Sequence, residues 1–191
     1  MRFNIKAYLR FLSKSTNQHG VHSPFVYNLV TKCFYNTEKR KAYKSIKSVY
    51  KKSDKKPSVR FHTAKLLNRI LPYFDIKTAL VLEDLSCVLS EIISIENLVL
   101  IDYNIQSKNS YDMIYLDLNQ LQYHSNIELL LSKTHNDSVI ILNSIYESEA
   151  NTILWKTIKE LTEVTVTINT FYLGFVFVRN EQAKEHFTIR A

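Results

Sequence analysis

Residues 78–90 read TALVLEDLSCVLS. Thr78 to Glu83 form a short apolar run ending in an acid, a pattern that predicts a buried strand. The residues after it carry apolar side chains at helical spacing. A strand that turns tightly into a helix is the unit in which nucleotide-binding folds hold their ligand. They do so with glycine, because a Cβ there would occupy ligand space. This turn has no glycine. Asp84, Leu85, Ser86 and Cys87 each carry a side chain.

The same grammar continues outward from this unit. Short apolar runs recur at 97–103 (NLVLIDY), 112–117 (DMIYLD), 138–143 (SVIILN), 163–169 (EVTVTIN) and 171–179 (FYLGFVFVR). Helical patterns fall at 85–94, 124–133 and 148–161. Such alternation predicts βαβ units and a mainly parallel sheet covered on both faces. The last two runs are separated by Thr170 alone and are expected to pair as an antiparallel edge. One connection is short: only YNIQSKNS separates Asp102 from Tyr111. A parallel crossover with a helix needs about a dozen residues or more. A helix, or a helix and a strand, is therefore expected to be missing at this point.

The first part of the chain is helical and basic. Residues 2–14 predict an amphipathic helix with Arg2, Lys6, Arg10 and Lys14 on one stripe and Ile5, Leu9 and Leu12 on another. The apolar stripe is expected to pack on the domain and the basic one to face water. Ser23 followed by Pro24 marks a helix start, an N-cap hydroxyl before a proline in the first turn. Further helices are predicted at 24–35, 38–52 and 60–73, with KKSDKKPS (51–58) as a linker. The organisation read from these signals is a basic helical cap over 1–74 and an α/β domain over 75–191.

Charge follows that division. Residues 1–70 hold 17 Lys and Arg against two acids, a net +15, and residues 71–191 hold 8 against 16, a net −8. The asymmetry suits an anionic partner for the basic segment, nucleic acid or an anionic surface, or a mutual attraction between the halves. There is no transmembrane run and no secretory leader pattern, so a cytoplasmic protein is expected. Cys33 and Cys87 show no ligand spacing and read as buried thiols. His19 and His22 lie in a loop with no nearby cysteine or acid, which suits imidazoles that tie down the loop. The chain has two glycines, Gly20 and Gly174, where average usage would give roughly thirteen. The sequence is compatible with a homo-oligomer.

NQHGVHSPFVYNLVTKCFY near the start and TVTINTFYLGFVFVRNEQAKEHFTIR at the end resemble small bacterial class I S-adenosylmethionine-dependent methyltransferases. YDMIYLD and HNDSVIIL fit the fourth and fifth strands of that group. The resemblance implies a Rossmann-like three-layer α/β sandwich, mainly parallel with an antiparallel terminal strand, behind an N-terminal helical cap. It also implies S-adenosylmethionine as cofactor. In the family, the first strand ends in a Glu and a glycine-rich turn. Here Glu83 fits the strand end and Asp84 begins a turn that has lost its glycines. The short link leaves 97–103 as either the second or the third strand of the family fold; if it is the second, the family's acid at that strand's end, which holds the ribose hydroxyls, corresponds to Asp102. The acid after the fourth strand corresponds to Asp117. Glu83, Asp84, Asp102 and Asp117 are thus the cofactor-site candidates, in vestigial form. The fifth strand ends in Asn143 and Ser144, where the group often carries paired acids, so no metal is expected. No catalytic residue is assigned.

The resemblance describes a shortened, degenerate member with reduced or lost cofactor binding. The alternatives are an active S-adenosylmethionine-dependent methyltransferase on an unknown acceptor, and a basic nucleic-acid or anionic-surface module.

Overall fold

The computed structural model describes residues 2–52, 59–82, 88–96, 98–119 and 127–191. Four helices come first: α1 (Arg2–Lys14), α2 (Pro24–Leu29), α3 (Ala42–Lys52) and α4 (Phe61–Tyr73). Strands and helices then alternate as β1 (Thr78–Leu82), α5 (Val88–Ser94), β2 (Leu100–Asp102), β3 (Met113–Asp117), α6 (Ile127–Leu131), β4 (Val139–Asn143) and α7 (Glu149–Glu160). The chain closes with β5 (Val166–Asn169), β6 (Leu173–Phe177) and β7 (Glu185–Thr188).

Local chemistry sets several of these boundaries. The Ser23 hydroxyl accepts from the Val26 amide and Pro24 opens α2. At Val30–Phe34 the helix widens into a π turn, with the Tyr35 amide donating to the Val30 carbonyl at 2.9 Å. The carbonyls of Cys33 and Phe34 accept instead from Arg69 Nε (2.8 Å) and Nη2 (3.0 Å), which ties α2 to α4. Ser148 caps α7 through the Asn151 amide at 3.0 Å.

The strands form one sheet in the order β2-β1-β3-β4-β6-β5-β7. β2, β1, β3 and β4 are mutually parallel, β6 is antiparallel to both β4 and β5, and β7 is parallel to β5. β2 pairs directly with β1 and so takes the place of the second strand. The chain then returns to β3 through residues 103–112 without a helix. Ile105 and Tyr111 of that link pack against the sheet face a helix would otherwise cover.

The antiparallel pairing expected of the last two runs forms, from Val166 opposite Phe177 to Asn169 opposite Gly174. One further strand lies outside it. β7, EHFT, has a single apolar residue and no period to announce it; its register with β5 runs from Val166–Glu185 to Asn169–Thr188. The segment after α1 continues the edge. The Thr16 amide donates to the Thr188 carbonyl (2.9 Å) and the Arg190 amide to the Thr16 carbonyl (3.2 Å).

Period-two alternation divides the strand residues between two cores. Ala79, Val81, Met113, Tyr115, Val139, Ile141 and Phe175 face helices α2 to α5. Leu80, Ile114, Leu116, Ile140, Leu142 and Val176 face α6, α7 and the 103–112 link. This is a three-layer arrangement, and the N-terminal helices share a core with the sheet.

The orientation of α1 differs from the amphipathic reading. Among its described side chains Ala7 and Phe11 are the buried ones, while Ile5 and Leu9 are 62% and 61% exposed. The reason is aromatic. Phe11 packs on Phe171 at 5.4 Å between ring centroids, and Tyr8 meets the same ring edge-on at 4.8 Å. That contact rotates the helix away from the face its aliphatic residues define. The stripe of Lys6, Arg10 and Lys14 is exposed, as its spacing implies, and borders a cleft toward α7.

Candidate functional site

In an open parallel sheet, ligands bind beyond the carboxyl ends of the strands, where strand order reverses. Here that reversal lies at β1, with β2 on one side and β3 on the other. Glu83 and Asp84, the two candidates nearest to it, lie outside the described residues. The joint itself is bounded: β1 ends at Leu82 and α5 begins at Val88.

Asp102 ends β2 in register with Leu80, two residues short of the end of β1. Asp117 ends β3 one residue beyond Leu116, the partner of Leu82. The two acids are thus offset by three residues, roughly 10 Å along the strands, and by two strand spacings, roughly 10 Å across. They cannot close on one ion. Among the described residues no group of three His, Cys, Asp or Glu is placed to hold a metal.

The two acids also differ in how their oxygens are used. Asp117 is buried and its carboxylate is occupied. Oδ2 accepts from Asn143 Nδ2 (3.0 Å) and Ser144 Oγ (2.7 Å), and Oδ1 from the Asn119 amide (2.9 Å). Asn119 extends the network by donating to Glu147 Oε2 (3.0 Å) and accepting from Asn151 Nδ2 (2.8 Å). Ser144 reaches Asp117 from a left-handed backbone, φ 63°. Asn143 and Ser144, noted in the sequence only as replacements for an acid pair, are therefore the partners of Asp117.

Asp102 is different. Its side chain is 27% exposed, Lys108 Nζ is 3.9 Å from Oδ2, and that oxygen is itself buried and makes no hydrogen bond among the described residues. Burial, and then the Asp102 charge, push the Tyr111 hydroxyl above the ordinary tyrosine value. An acceptor of this kind has capacity for a donor from a ligand.

The crest continues over β5 and β6 with residues that carried no sequence signal. Asn169 Nδ2 donates to Tyr146 Oη (2.5 Å), and Asn169 Oδ1 accepts from the Phe171 amide (2.9 Å). Phe171 is left-handed, φ 71°, and its ring stacks on Tyr146 with centroids 5.2 Å apart. Beyond it, the Arg60 guanidinium lies 4.3 Å over the Tyr172 ring and donates to Tyr172 Oη at 3.0 Å. His62 meets the same ring edge-on at 5.0 Å. Burial, then the charges of Arg60 and Lys65, hold the His62 pKa below the ordinary histidine value. A non-glycine residue held in the left-handed region costs of order 1 kcal/mol or more. Ser144 and Phe171 both carry that strain on this edge.

No family model and no curated protein matches the sequence. Solved structures do match in shape. One, from Klebsiella pneumoniae and provisionally assigned as an O-methyltransferase, aligns with 75% of this chain and 92% of its own at TM-score 0.50 and 9% identity. Rv0187 from MTB, in a cofactor-bound form, aligns over 81% of this chain and 95% of its own at TM-score 0.51 and 12% identity. With the strand order and the single antiparallel reversal, these likenesses define the fold. The chain has the Rossmann-like α/β fold of class I S-adenosylmethionine-dependent methyltransferases.

Proposed function

We propose that this is a methyltransferase-fold protein whose S-adenosylmethionine binding is reduced or lost, and that it works as a non-catalytic relative or scaffold. The observation that carries the reading is the joint between β1 and α5. It is EDLSC, residues 83–87, without a glycine, where the fold uses bare backbone against the cofactor. Both glycines of the chain are committed to packing elsewhere. A Cβ on Gly20 would stand 2.1 Å from Thr16 Oγ1, and one on Gly174 would stand 2.7 Å from the Trp155 ring. The three hydrogen bonds that Asp117 already accepts, from Asn143, Ser144 and Asn119, support the same reading, because they hold its buried carboxylate in a structural network.

Titration calorimetry with S-adenosylmethionine and S-adenosylhomocysteine tests it. No heat of binding is expected with either ligand in the micromolar range. Micromolar affinity for either one refutes the proposal.

One observation favours a second reading, an active S-adenosylmethionine-dependent methyltransferase on an unknown acceptor. Asp102 presents a buried carboxylate oxygen, with Lys108 Nζ 3.9 Å away, at the end of β2, where the fold family binds ribose hydroxyls. On this reading the acceptor meets Asp117 or Asn143. Its signature is micromolar cofactor binding that Asp102→Ala weakens at least tenfold. Binding that Asp102→Ala leaves unchanged would count against it.

A further inference from the structure

The rotation of α1 builds a cleft, about 300 Å³ in volume, between α1 and α7. Its floor is apolar and aromatic, with buried Ala7 and Phe11 beside half-buried Tyr146. Its rim is cationic. Lys6, Arg10 and Lys14, one turn apart on α1, face Lys156 on α7, and Glu149 is the single acid in the lining. Among the described residues none of the four cations forms an ion pair.

We propose that this cleft binds a small anionic amphiphile, a molecule with one carboxylate or phosphate group and an acyl or aromatic body. The inference does not depend on any reading of the cofactor site. Two features together select this ligand class. Four cations converging from two helices with one acid among them leave a strong local positive field, which an anion neutralises. A free inorganic ion would leave the floor of Phe11 and Ala7 wet, whereas a neutral apolar molecule would leave the charges unanswered. Sites of this size are commonly apolar, with a few polar groups that fix orientation. The cations border a concave cleft with a buried aromatic base. A basic stripe that only tracked a phosphate backbone would have no use for that apolar base.

The test is calorimetric titration of the full chain at about 0.15 M salt, an ionic strength that screens long-range attraction but not a desolvated pair. The probes are octyl phosphate below its micellar concentration, inorganic phosphate and octyl glucoside. Saturable one-to-one binding of octyl phosphate is expected, at least tenfold tighter than either of the others. Arg10→Glu with Lys156→Glu should weaken it at least tenfold. These are exposed positions, and a thermal melt confirms that the variant is folded. Lys6→Glu with Lys14→Glu is a second pair expected to act the same way. Lys44→Glu with Lys47→Glu on α3 removes equal charge elsewhere and should leave binding intact.

Equal affinity for inorganic phosphate or octyl glucoside overturns the proposal, as does equal loss from the α3 pair. So does failure of octyl phosphate to bind, together with sedimentation on phosphatidylglycerol vesicles that Ile5→Ser and Leu9→Ser abolish. That result would assign α1 to a membrane surface. Failure of octyl phosphate with retention of a single-stranded oligonucleotide would assign the stripe to nucleic acid and overturn the proposal equally.

Discussion

Gly174 sits within β6, opposite Leu142 on one side and Asn169 on the other, and the Trp155 ring of α7 lies directly on it. Replacing it by alanine puts a methyl carbon 2.7 Å from Trp155 Cζ3 and 3.0 Å from Cη2. Carbon atoms rest about 3.5–4.0 Å apart, so ring and strand must separate by roughly 1 Å. Neither yields easily. Trp155 is only 3% exposed within its core, and β6 is hydrogen-bonded on both edges. Overpacking of this kind costs about 1–3 kcal/mol. At about 2 kcal/mol, a domain of this length should lose roughly 4–8 °C in Tm.

A double-mutant cycle isolates the cause. Trp155→Leu is itself destabilising, by about 3 kcal/mol, but it vacates the space. In that background Gly174→Ala should be neutral within about 0.5 kcal/mol, or slightly stabilising, because alanine restricts the unfolded chain. The expected coupling is therefore at least about 1 kcal/mol, beyond the error of additive sites. Urea unfolding followed by far-ultraviolet circular dichroism reads it without relying on tryptophan fluorescence. A Gly174→Ala protein as stable as the parent, or an equal loss in both backgrounds, would refute the packing argument and free this glycine for another role.

Further outcomes follow from the remaining polar groups. Asp117→Ala strips partners from Asn143, Ser144 and Asn119 and should cost about 2–4 kcal/mol, while Asp102→Ala should cost less than about 1 kcal/mol; urea midpoints distinguish them. Asp112 stands at the opposite end of the sheet. Burial would raise its pKa, but hydrogen bonds from the Lys77 and Thr78 amides, the Thr78 hydroxyl and His135 outweigh it and hold the carboxyl below the ordinary value. A depressed folded pKa contributes stability above the unfolded value, about 3.9, that is lost as pH falls through the folded one. Melts between pH 6 and pH 2 should show that loss and Asp112→Asn should flatten it. His62 has the same sign: its lowered pKa favours folding above about pH 6.5 and less so below. In proton NMR its titration should move upward in Arg60→Gln. Burial pushes the Cys33 thiol to about 12, so in a Cys87→Ser background an aromatic disulfide reagent at pH 8 should label Cys33 only after unfolding.

The elements themselves were legible because each is signalled locally. Thr78–Leu82, Met113–Asp117 and Val139–Asn143 are unbroken apolar runs, as strands buried on both faces must be. The missing helix after Asp102 was legible from spacing alone, since ten residues cannot hold a crossover helix. The candidate site was legible only in part. Asp102 and Asp117 could be placed at strand ends, but their different states depend on Asn143, Ser144 and Lys108. Those neighbours come from other strands and from the link, and no local pattern pairs them with the acids. Lys156 was invisible as a partner of Lys6, Arg10 and Lys14 for the same reason.

The sequence by itself determined strand, helix and turn, the parallel class of the sheet, the β5–β6 pairing and the absence of glycine at the β1–α5 joint. Each of these is set by side chains within a few residues of one another. Only the tertiary structure decided that β2 adjoins β1, that β7 and Thr16 extend the far edge, and that α1 turns Phe11 inward while leaving Ile5 and Leu9 outside. Those choices are made by contacts between distant segments. A helix with two eligible faces takes the one whose partner, here Phe171, the fold has already set in place.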